Sequence, residues 1–412
     1  MSVERLVAAL GADSVFAHES RVLEGAKLEA TLRPNGGEAL ATALRLLSED
    51  ALPALVRGGG TRLATANAPC RARVLLETPG LTEPAEIDAE EGVARLPAGA
   101  KLSALRGALA GSGWELPLDP PGVGATLGGA LAAAAQGPCF GSPRDVVLGL
   151  GFVLASGERI RCGGRVVKNV TGYDLAKLFV GSYGTLGVIE WAWLRLRPVP
   201  EETRICVAPL AADDGEADAA ALAAARRPTV RAAAWVDAAL HPAPLPEGAP
   251  RALVVELAGD AAAVEQDAAA LASALGAAPG EPAALDAVRE AQGAGPLRVR
   301  IAALPSGLAV AAEALRNGGG AVLAYPARGL VWARFALEGP EDERGASRAL
   351  RAANEAARRA GGACLLEASP VAAREGREVF GGTAATLALE RAIKRQYDPA
   401  GILNPGRFAG GA

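Results

Sequence analysis

Six glycines interrupt an otherwise apolar run between Gly163 and Pro198. They come as the pair Gly163–Gly164, then Gly172, Gly181, Gly184 and Gly187, with Lys168, Asn169, Thr171, Tyr173, Asp174 and Lys177 set among them. A segment that only fills a core has no use for that alternation. Glycine lets a backbone approach a bound group closely or adopt positive φ. The run therefore reads as one wall of a ligand site around which most of the chain is arranged.

Other glycine clusters lie upstream. Pro53–Val56 reads as a short buried strand that feeds directly into Arg57-Gly58-Gly59-Gly60-Thr61. Consecutive glycines can aim several N–H groups at one point and make an anion nest. A plain flexible loop is the competing reading. The incoming strand, with Arg57 and Thr61 as flanking donors, tips the balance toward a phosphate. Farther on, Gly122 and Gly124 suggest a dinucleotide fingerprint, but its third glycine would be residue 127, which is Leu. No Gly-Lys-Ser/Thr follows a glycine loop, so no P-loop is encoded. Ala125–Gly129 opens an Ala-rich helix reaching Gln136. Its first N–H groups could meet an anion, or its small residues could serve close packing, and both readings stand. Gly137–Val147 is a further glycine loop, with Ser142, Arg144 and Asp145 as its polar groups.

Periodicity supplies the framework. Leu40, Leu44 and Leu47 predict a helix over Gly37–Glu49. Residues 1–20 read as a peripheral helix and turn. Strands are expected at Val74–Glu77, 93–96, 146–154 and 159–161, and a helix carries Leu102, Leu105 and Leu109. From 201 to 375 strands and helices recur with short antiparallel turns, which suggests an α+β layer on one sheet. A long helix is expected at 342–360, its charged start a solvated face, and another at 387–396. Arg298, Arg300, Arg328 and Arg334 fall on strands or turns; a solvated outer face is the simpler reading for them than a ligand cleft.

A chain of 412 residues leads one to expect two or three domains. A net charge of −4 argues against a nucleic-acid binder. The five cysteines show no C-x-x-C spacing, so no zinc site or iron–sulfur cluster is encoded locally. Their odd number and wide spacing suit a reducing cytosol. No leader pattern or long apolar span is read, so the expected location is cytoplasmic, with membrane association only through partners. The two histidines, His18 and His241, read as solvated loop residues, and no metal site is expected.

The ordered series RGGGT, LDPPGVGATLGG, GSPRD, GGRVVKNVTGYDL and GSYGTLGVI resembles the FAD-binding domain of the PCMH-type (vanillyl-alcohol oxidase) family. The segment VKNVTGYDLAKLFVGSYGTLGVIE is similar to the FAD-binding E subunits of glycolate oxidases, and YDPAGILNPGRF at 397–408 resembles the family's closing segment. The resemblance covers about residues 30–200 and 385–408. It implies an α+β fold: a PCMH-type FAD-binding domain of two α+β subdomains at 1–200, a smaller α+β antiparallel-sheet cap at 201–375, and a C-terminal helix and tail at 376–412 returning to the first domain. It also implies the site. Arg57, Gly58, Gly59, Gly60 and Thr61 would meet the pyrophosphate. Pro120, Thr126, Leu127, Gly128 and Gly129 would lie along the dinucleotide and flavin edge, with Ser142 and Asp145 opposite. Gly187, Val188 and Ile189 would meet the ribityl–adenine part, and Asn404 and Arg407 would bring the tail to the isoalloxazine.

Departures qualify the likeness. Arg62-Leu63-Ala64-Thr65 follows RGGGT, with no histidine for covalent attachment, so non-covalent FAD is expected; Cys139 is the one thiol near a flavin loop. The histidine-rich substrate motif of the related dehydrogenases is missing, and no catalytic base can be named. The implied function is the FAD-binding subunit of a complex that oxidises a small 2-hydroxy acid such as glycolate. Its partners would be a second, catalytic FAD-binding subunit and an iron–sulfur subunit. The alternative is a non-catalytic FAD scaffold that stabilises the catalytic partner. The polar groups of Lys168–Lys177 carry no assigned chemistry; loop ordering and partner contact are both open.

Overall fold

The structure is a computed structural model that describes residues 3–69, 71–166, 173–212, 215–240, 245–339, 342–374, 379–380, 383–408 and 411. Helix α1 (Val3–Leu10) holds Leu6 fully inside, so this end is less peripheral than its sequence suggests. The expected turn after it is instead strand β1 (Val15–Leu23), paired antiparallel with β2 (Ala26–Leu32). Phe16, Val22 and most of β1 are exposed, which explains why no burial pattern marked it. His18 therefore lies on an edge strand, not in a loop, with Nε2 2.7 Å from Thr31 Oγ1. His241 lies outside the described residues. Helix α2 (Gly37–Glu49) has the predicted bounds and buries Leu40, Leu44 and Leu47 completely, worth about 1.5–3 kcal/mol each. Strands β3 (Ala54–Arg57) and β4 (Val74–Glu77) finish a four-stranded sheet of order β1-β2-β4-β3, its last three strands parallel.

A second, antiparallel sheet follows. Strands β5 (Glu86–Asp88) and β6 (Val93–Pro97) form a hairpin that contains the strand expected at 93–96. Helix α3 (Leu102–Leu109), the short β7 (Trp114–Glu115) and α4 (Leu127–Ala132) come next. Then come β8 (Val147–Val153), β9 (Arg159–Gly163), α5 (Ala176–Phe179), β10 (Val188–Arg195) and β11 (Arg197–Pro198), which pairs with β7. The five-stranded order is β5-β6-β10-β8-β9. The glycine-punctuated run thus links β9 to β10 through α5 and a turn. Lys168, Asn169, Thr171 and Gly172 lie outside the described residues; Tyr173 and Asp174 are exposed.

The third sheet is built from β12 (Glu202–Leu210), β13 (Val230–Asp237), β14 (Arg251–Gly259), β15 (Ala278–Gly280), β16 (Leu297–Ala302), β17 (Ala321–Tyr325), β18 (Leu330–Phe335) and β19 (Ala363–Ala368). All eight are antiparallel, in the order β15-β12-β14-β13-β17-β18-β16-β19. Helices α6 (Gly215–Ala224), α7 (Ala261–Leu275), α8 (Ala283–Gly293), α9 (Leu308–Asn317) and α10 (Glu343–Arg359) interleave with them. Leu297, Val299 and Ile301 on β16 join the core shared with α6, α7, α9 and α10. Because side chains alternate along a strand, Arg298 and Arg300 leave by the opposite face. On that face Ala234, Tyr325 and Trp332 pack with Cys139, Phe140 and Leu285 and Val288 of α8. Arg328 also turns inward and donates to the carbonyls of Gly137 (2.6 Å) and Pro138 (2.7 Å). Arg298, Arg300 and Arg328 are therefore not outer-face residues, contrary to the simpler sequence reading. Period 2 separates the two faces of a strand but does not say which face meets another part of the chain.

The chain ends with α11 (Val371–Arg374) and α12 (Ala384–Tyr397), the latter opened by a Thr383–Thr386 capping box. The tail then lies along β3: Ala54 N donates to Ile402 O at 2.7 Å, and Asn404 N donates to Ala54 O at 2.8 Å.

Candidate cofactor site

A cleft with about 700 Å³ of space, part of it open to solvent, lies where β3, the start of α4, the turn before β10 and the C-terminal tail converge. Its first wall is the loop after β3. The amides of Gly58, Gly60, Thr61 and Arg62 have no partner among the described residues, and Gly60 takes φ +76°. Four uncommitted donors within five residues suit an anion, Gly59 N between them being held by Thr126 Oγ1. The glycines have a second cause as well. A Cβ on Gly59 would sit 1.7 Å from Gly124 O, and one on Gly58 would sit 2.3 Å from Thr126 Oγ1. The two glycine loops touch backbone to backbone. Arg57, read as a flanking donor, has its guanidinium bound to buried Glu77, which Arg33 also holds at 2.5 Å.

Thr126, Gly128, Gly129, Ala132 and Ala133 form the second wall. Here the structure chooses between the two sequence readings. The amides of Leu127 and Gly128 go to Ala100 O and Ala98 O, and Gly129 N goes to Thr126 Oγ1. A Cβ at Gly128 would lie 2.9 Å from Ala98 Cβ. Small residues serve close packing, and α4 stops at Ala132, short of Gln136. Tyr183, Gly184, Gly187, Val188 and Ile189 make the third wall.

The tail closes the base. Asn404 sits at φ +46°, accepts from Val56 N through Oδ1 (2.7 Å) and donates through Nδ2 to Tyr183 O (2.6 Å). Arg407 is buried and donates to Leu63 O (3.0 Å) and Thr65 O (2.7 Å). Burial, and next Arg374, bring its guanidinium down to about 10. Both side chains line the cleft while spending their polar atoms on holding its walls in register.

Arg57, Gly58, Gly59, Gly60, Thr61, Thr126, Gly128, Gly129, Gly187, Val188, Ile189, Asn404 and Arg407 of the expected set therefore meet at one cleft. Leu127 is fully buried in the core beneath it. Ser142 caps a 3-10 turn over 143–145, and Asp145 is exposed. Pro120 lies in a second cleft between α3 and α8 with Asp119, Cys139, Arg231, Glu256 and Arg289. Cys139 Sγ there contacts Glu256 Oε2 (3.3 Å) and Arg289 Nη2 (3.2 Å), and burial pushes its thiol well up. Gly184 belongs to the glycine run read as a ligand wall, while sequence reasoning singled out none of Arg62, Leu63, Thr78 and Tyr183 as lining the cofactor cleft. Tyr183, at φ +54° between two positive-φ glycines, is the one that the glycine spacing could have revealed. Among the described residues, no three His, Cys, Asp or Glu side chains group as metal ligands, and no helix is long and apolar enough to cross a membrane.

Comparison with known proteins agrees with this geometry. Residues 28–163 match the FAD binding domain family, and residues 381–408 match the C-terminal domain of FAD linked oxidases. The chain is 37% identical over 181 residues to a D-lactate dehydrogenase of Archaeoglobus fulgidus, covering 43% of this chain and 41% of that protein. It is 34% identical over 184 residues to glycolate oxidase subunit GlcD of Bacillus subtilis, covering 44% and 39%. Against glycolate oxidase subunit GlcE of Escherichia coli identity rises to 44%, over 107 residues, covering 25% and 31%. The chain thus spans about two fifths or less of each relative's length. In fold it is similar to p-cresol methylhydroxylase, with a TM-score of 0.72 at 17% identity over 98% of this chain and 95% of that one. The matched segments contain the glycine cradle, the wall from Thr126 to Ala133 and the tail that clamps them, while the third wall, Tyr183–Ile189, lies between the two matches. The chain has the PCMH-type FAD-binding fold, and FAD is the cofactor that its cradle of free amides fits.

Proposed function

We propose that this chain is the FAD-binding, E-type subunit of a complex that oxidises a small 2-hydroxy acid such as glycolate. It would work with a second, catalytic FAD-binding subunit and deliver electrons to an iron–sulfur subunit. The observation that carries the reading is the cradle of four uncommitted amides at Gly58–Arg62, clamped from behind by Asn404 and Arg407. Support for the E-type assignment comes from the 44% identity to GlcE over 107 residues. The longer matches to a D subunit and a D-lactate dehydrogenase support the 2-hydroxy-acid chemistry.

When bound, the flavin supplies the acceptor for the substrate's hydride. The loop Arg57–Thr61 would hold the pyrophosphate, Thr126–Gly129 and Gly187–Ile189 would flank the dinucleotide, and Asn404 and Arg407 would fix the walls. In this reading residues 1–200 and the tail from 376 form one FAD-binding unit, and 201–375 covers it. Adding glycolate or D-lactate anaerobically to the purified FAD-loaded chain tests the assignment. Bleaching of the flavin band, alone or with the partner subunit, is the expected result. A flavin that stays oxidised with every 2-hydroxy acid, with and without the partner, would leave only the scaffold role.

A further inference from the structure

Residues of the eight-stranded layer grip one short stretch of the FAD-binding fold by its backbone. Gln292 of α8 donates through Nε2 to Gln136 O (2.9 Å). Arg328, in the turn between β17 and β18, donates to Gly137 O (2.6 Å) and Pro138 O (2.7 Å). Three successive carbonyls are thus taken by side chains from a distant part of the chain. Gln292 is 2% exposed and is itself fixed by Tyr325, whose hydroxyl donates to Gln292 Oε1 at 2.6 Å. Gly137 leaves no slack, because a Cβ there would sit 1.8 Å from Asp119 O. Burying an amide and a guanidinium is costly unless each is well bonded, and here both are spent on main-chain oxygens.

The residue just ahead of this stretch is strained. Ala134 takes φ +44°, a left-handed conformation that a residue with a Cβ adopts only under constraint. On its other side come Ala132 and Ala133, which line the cofactor cleft. Tyr183 N donates to Ala132 O (2.8 Å) and Gly181 N to Leu131 O (3.0 Å), which ties the second wall of the cleft to the third. Ala134 therefore stands between a wall of the cleft and the gripped carbonyls. Strain of this kind persists where the surroundings over-determine it, and both of its flanks are held.

We infer that Gln292 and Arg328 are positioning residues for the cofactor: by fixing the carbonyls of Gln136, Gly137 and Pro138 they hold the strained exit of α4, and with it the junction of Ala132 and Tyr183 between two walls of the FAD cleft. Neither side chain lines that cleft. The inference requires FAD in the cleft and holds for any substrate.

Two measurements test it: flavin fluorescence released on dilution of the FAD-loaded full chain, which reads affinity, and the urea midpoint of each protein. Arg328→Met should weaken FAD binding about tenfold, the order set by losing a charged hydrogen bond. Gln292→Met should weaken it in the same direction, and carries the test if R328M does not fold. Arg316→Met is the control. It breaks the Arg316–Asp237 pair (2.9 Å) between α9 and β13, so it should lower the urea midpoint and leave FAD affinity as in wild type. Ala134→Gly frees positive φ from Cβ strain and should restore most of the affinity lost in R328M or Q292M. Wild-type FAD affinity in either variant, an equal loss in R316M, or a loss that Ala134→Gly does not repair would overturn the inference. A wild-type chain that takes up no FAD would instead remove the cofactor on which it rests.

Discussion

Lys394 is the residue whose loss should be felt farthest from where it sits. Its Nζ donates to Thr185 O (2.7 Å), to Leu403 O (2.7 Å) and to Asp398 Oδ2 (2.5 Å), and Lys394 and Asp398 are 5% and 2% exposed. Burial lowers the ammonium's pKa, and Asp398 offsets that effect. One side chain thereby joins α12, the turn before β10 and the segment leading to Asn404. Lys394→Met keeps the stem but strands Asp398 and leaves two carbonyls short of a donor. Breaking a buried pair from one side costs about 3–5 kcal/mol. Asp398 also accepts from Ile402 N (3.1 Å) and Leu403 N (2.8 Å), so Asp398→Asn retains an acceptor while removing the charge. The double variant should then be about 1–3 kcal/mol more stable than the two single losses sum to. The assay is a urea titration of all four proteins, with FAD content measured after gel filtration. K394M should show the lowest midpoint and lose FAD, because Asn404 and Arg407 are freed with the tail. A K394M protein with wild-type midpoint and FAD content would refute the idea that this contact holds the tail and cradle together.

Gly59→Ala would bring a methyl to 1.7 Å from Gly124 O, a backbone atom that cannot swing aside; FAD content on purification should fall several-fold, while Gly36→Ala, with open space at its Cβ although φ is +90°, serves as the positive-φ control that keeps FAD. Cys364 supplies an alkaline effect: burial raises its thiol from 9.0 to about 11, so the unfolded chain loses that proton first and stability falls as pH rises between these values. Two pKa units correspond to about 2.7 kcal/mol, and Cys364→Ala should remove that part of the decline when urea midpoints are compared at pH 8 and above, taken in steps of roughly one unit; an unchanged slope would refute it. FAD should be released into the supernatant by acid precipitation, since Cys139, the one thiol near a predicted flavin loop, lines the other cleft; yellow colour retained in the pellet would show a covalent link.

Much of this architecture is written locally in the chain. Leu40, Leu44 and Leu47 specify α2, and Val74, Leu75 and Leu76 specify β4, because these inward residues are apolar, with the buried Glu77 at the strand's end as the exception. The failures share a cause. Strand β1 was unreadable because it is an exposed edge, and α8 because its apolar residues are outnumbered by Ala, Glu, Gln and Arg. The glycine cradle was legible from composition, but its reason was half hidden. Gly58 and Gly59 are required by the loop packed against them, and that neighbour lies more than 60 residues downstream. Arg298 and Arg300 were misassigned for the same reason: alternation revealed two faces, and only the third dimension tells which one packs against Cys139, Phe140 and α8.

The roles of Asn404 and Arg407 follow from that point. A tail motif near a cofactor invites direct contact as its explanation, yet each of their polar bonds ends on the chain itself: Val56 and Tyr183 for Asn404, Leu63 and Thr65 for Arg407. These partners bracket the free amides of Gly58–Arg62 on one side and the positive-φ turn at Tyr183 on the other. A loop of three glycines is entropically costly to hold in one geometry, and an anion nest works only when its N–H groups already converge. The tail holds the chain on either side of those amides from 342 to 348 residues away in sequence. Removing either side chain should therefore weaken FAD binding without removing a cofactor contact. Asn404→Ala, which loses both bonds, should weaken it several-fold, and Asn404→Asp should weaken it at least as much, because it keeps the acceptor for Val56 but sets a buried, unpaired carboxylate oxygen against Tyr183 O. If either variant retains FAD as wild type does, Asn404 acts through something other than these two hydrogen bonds.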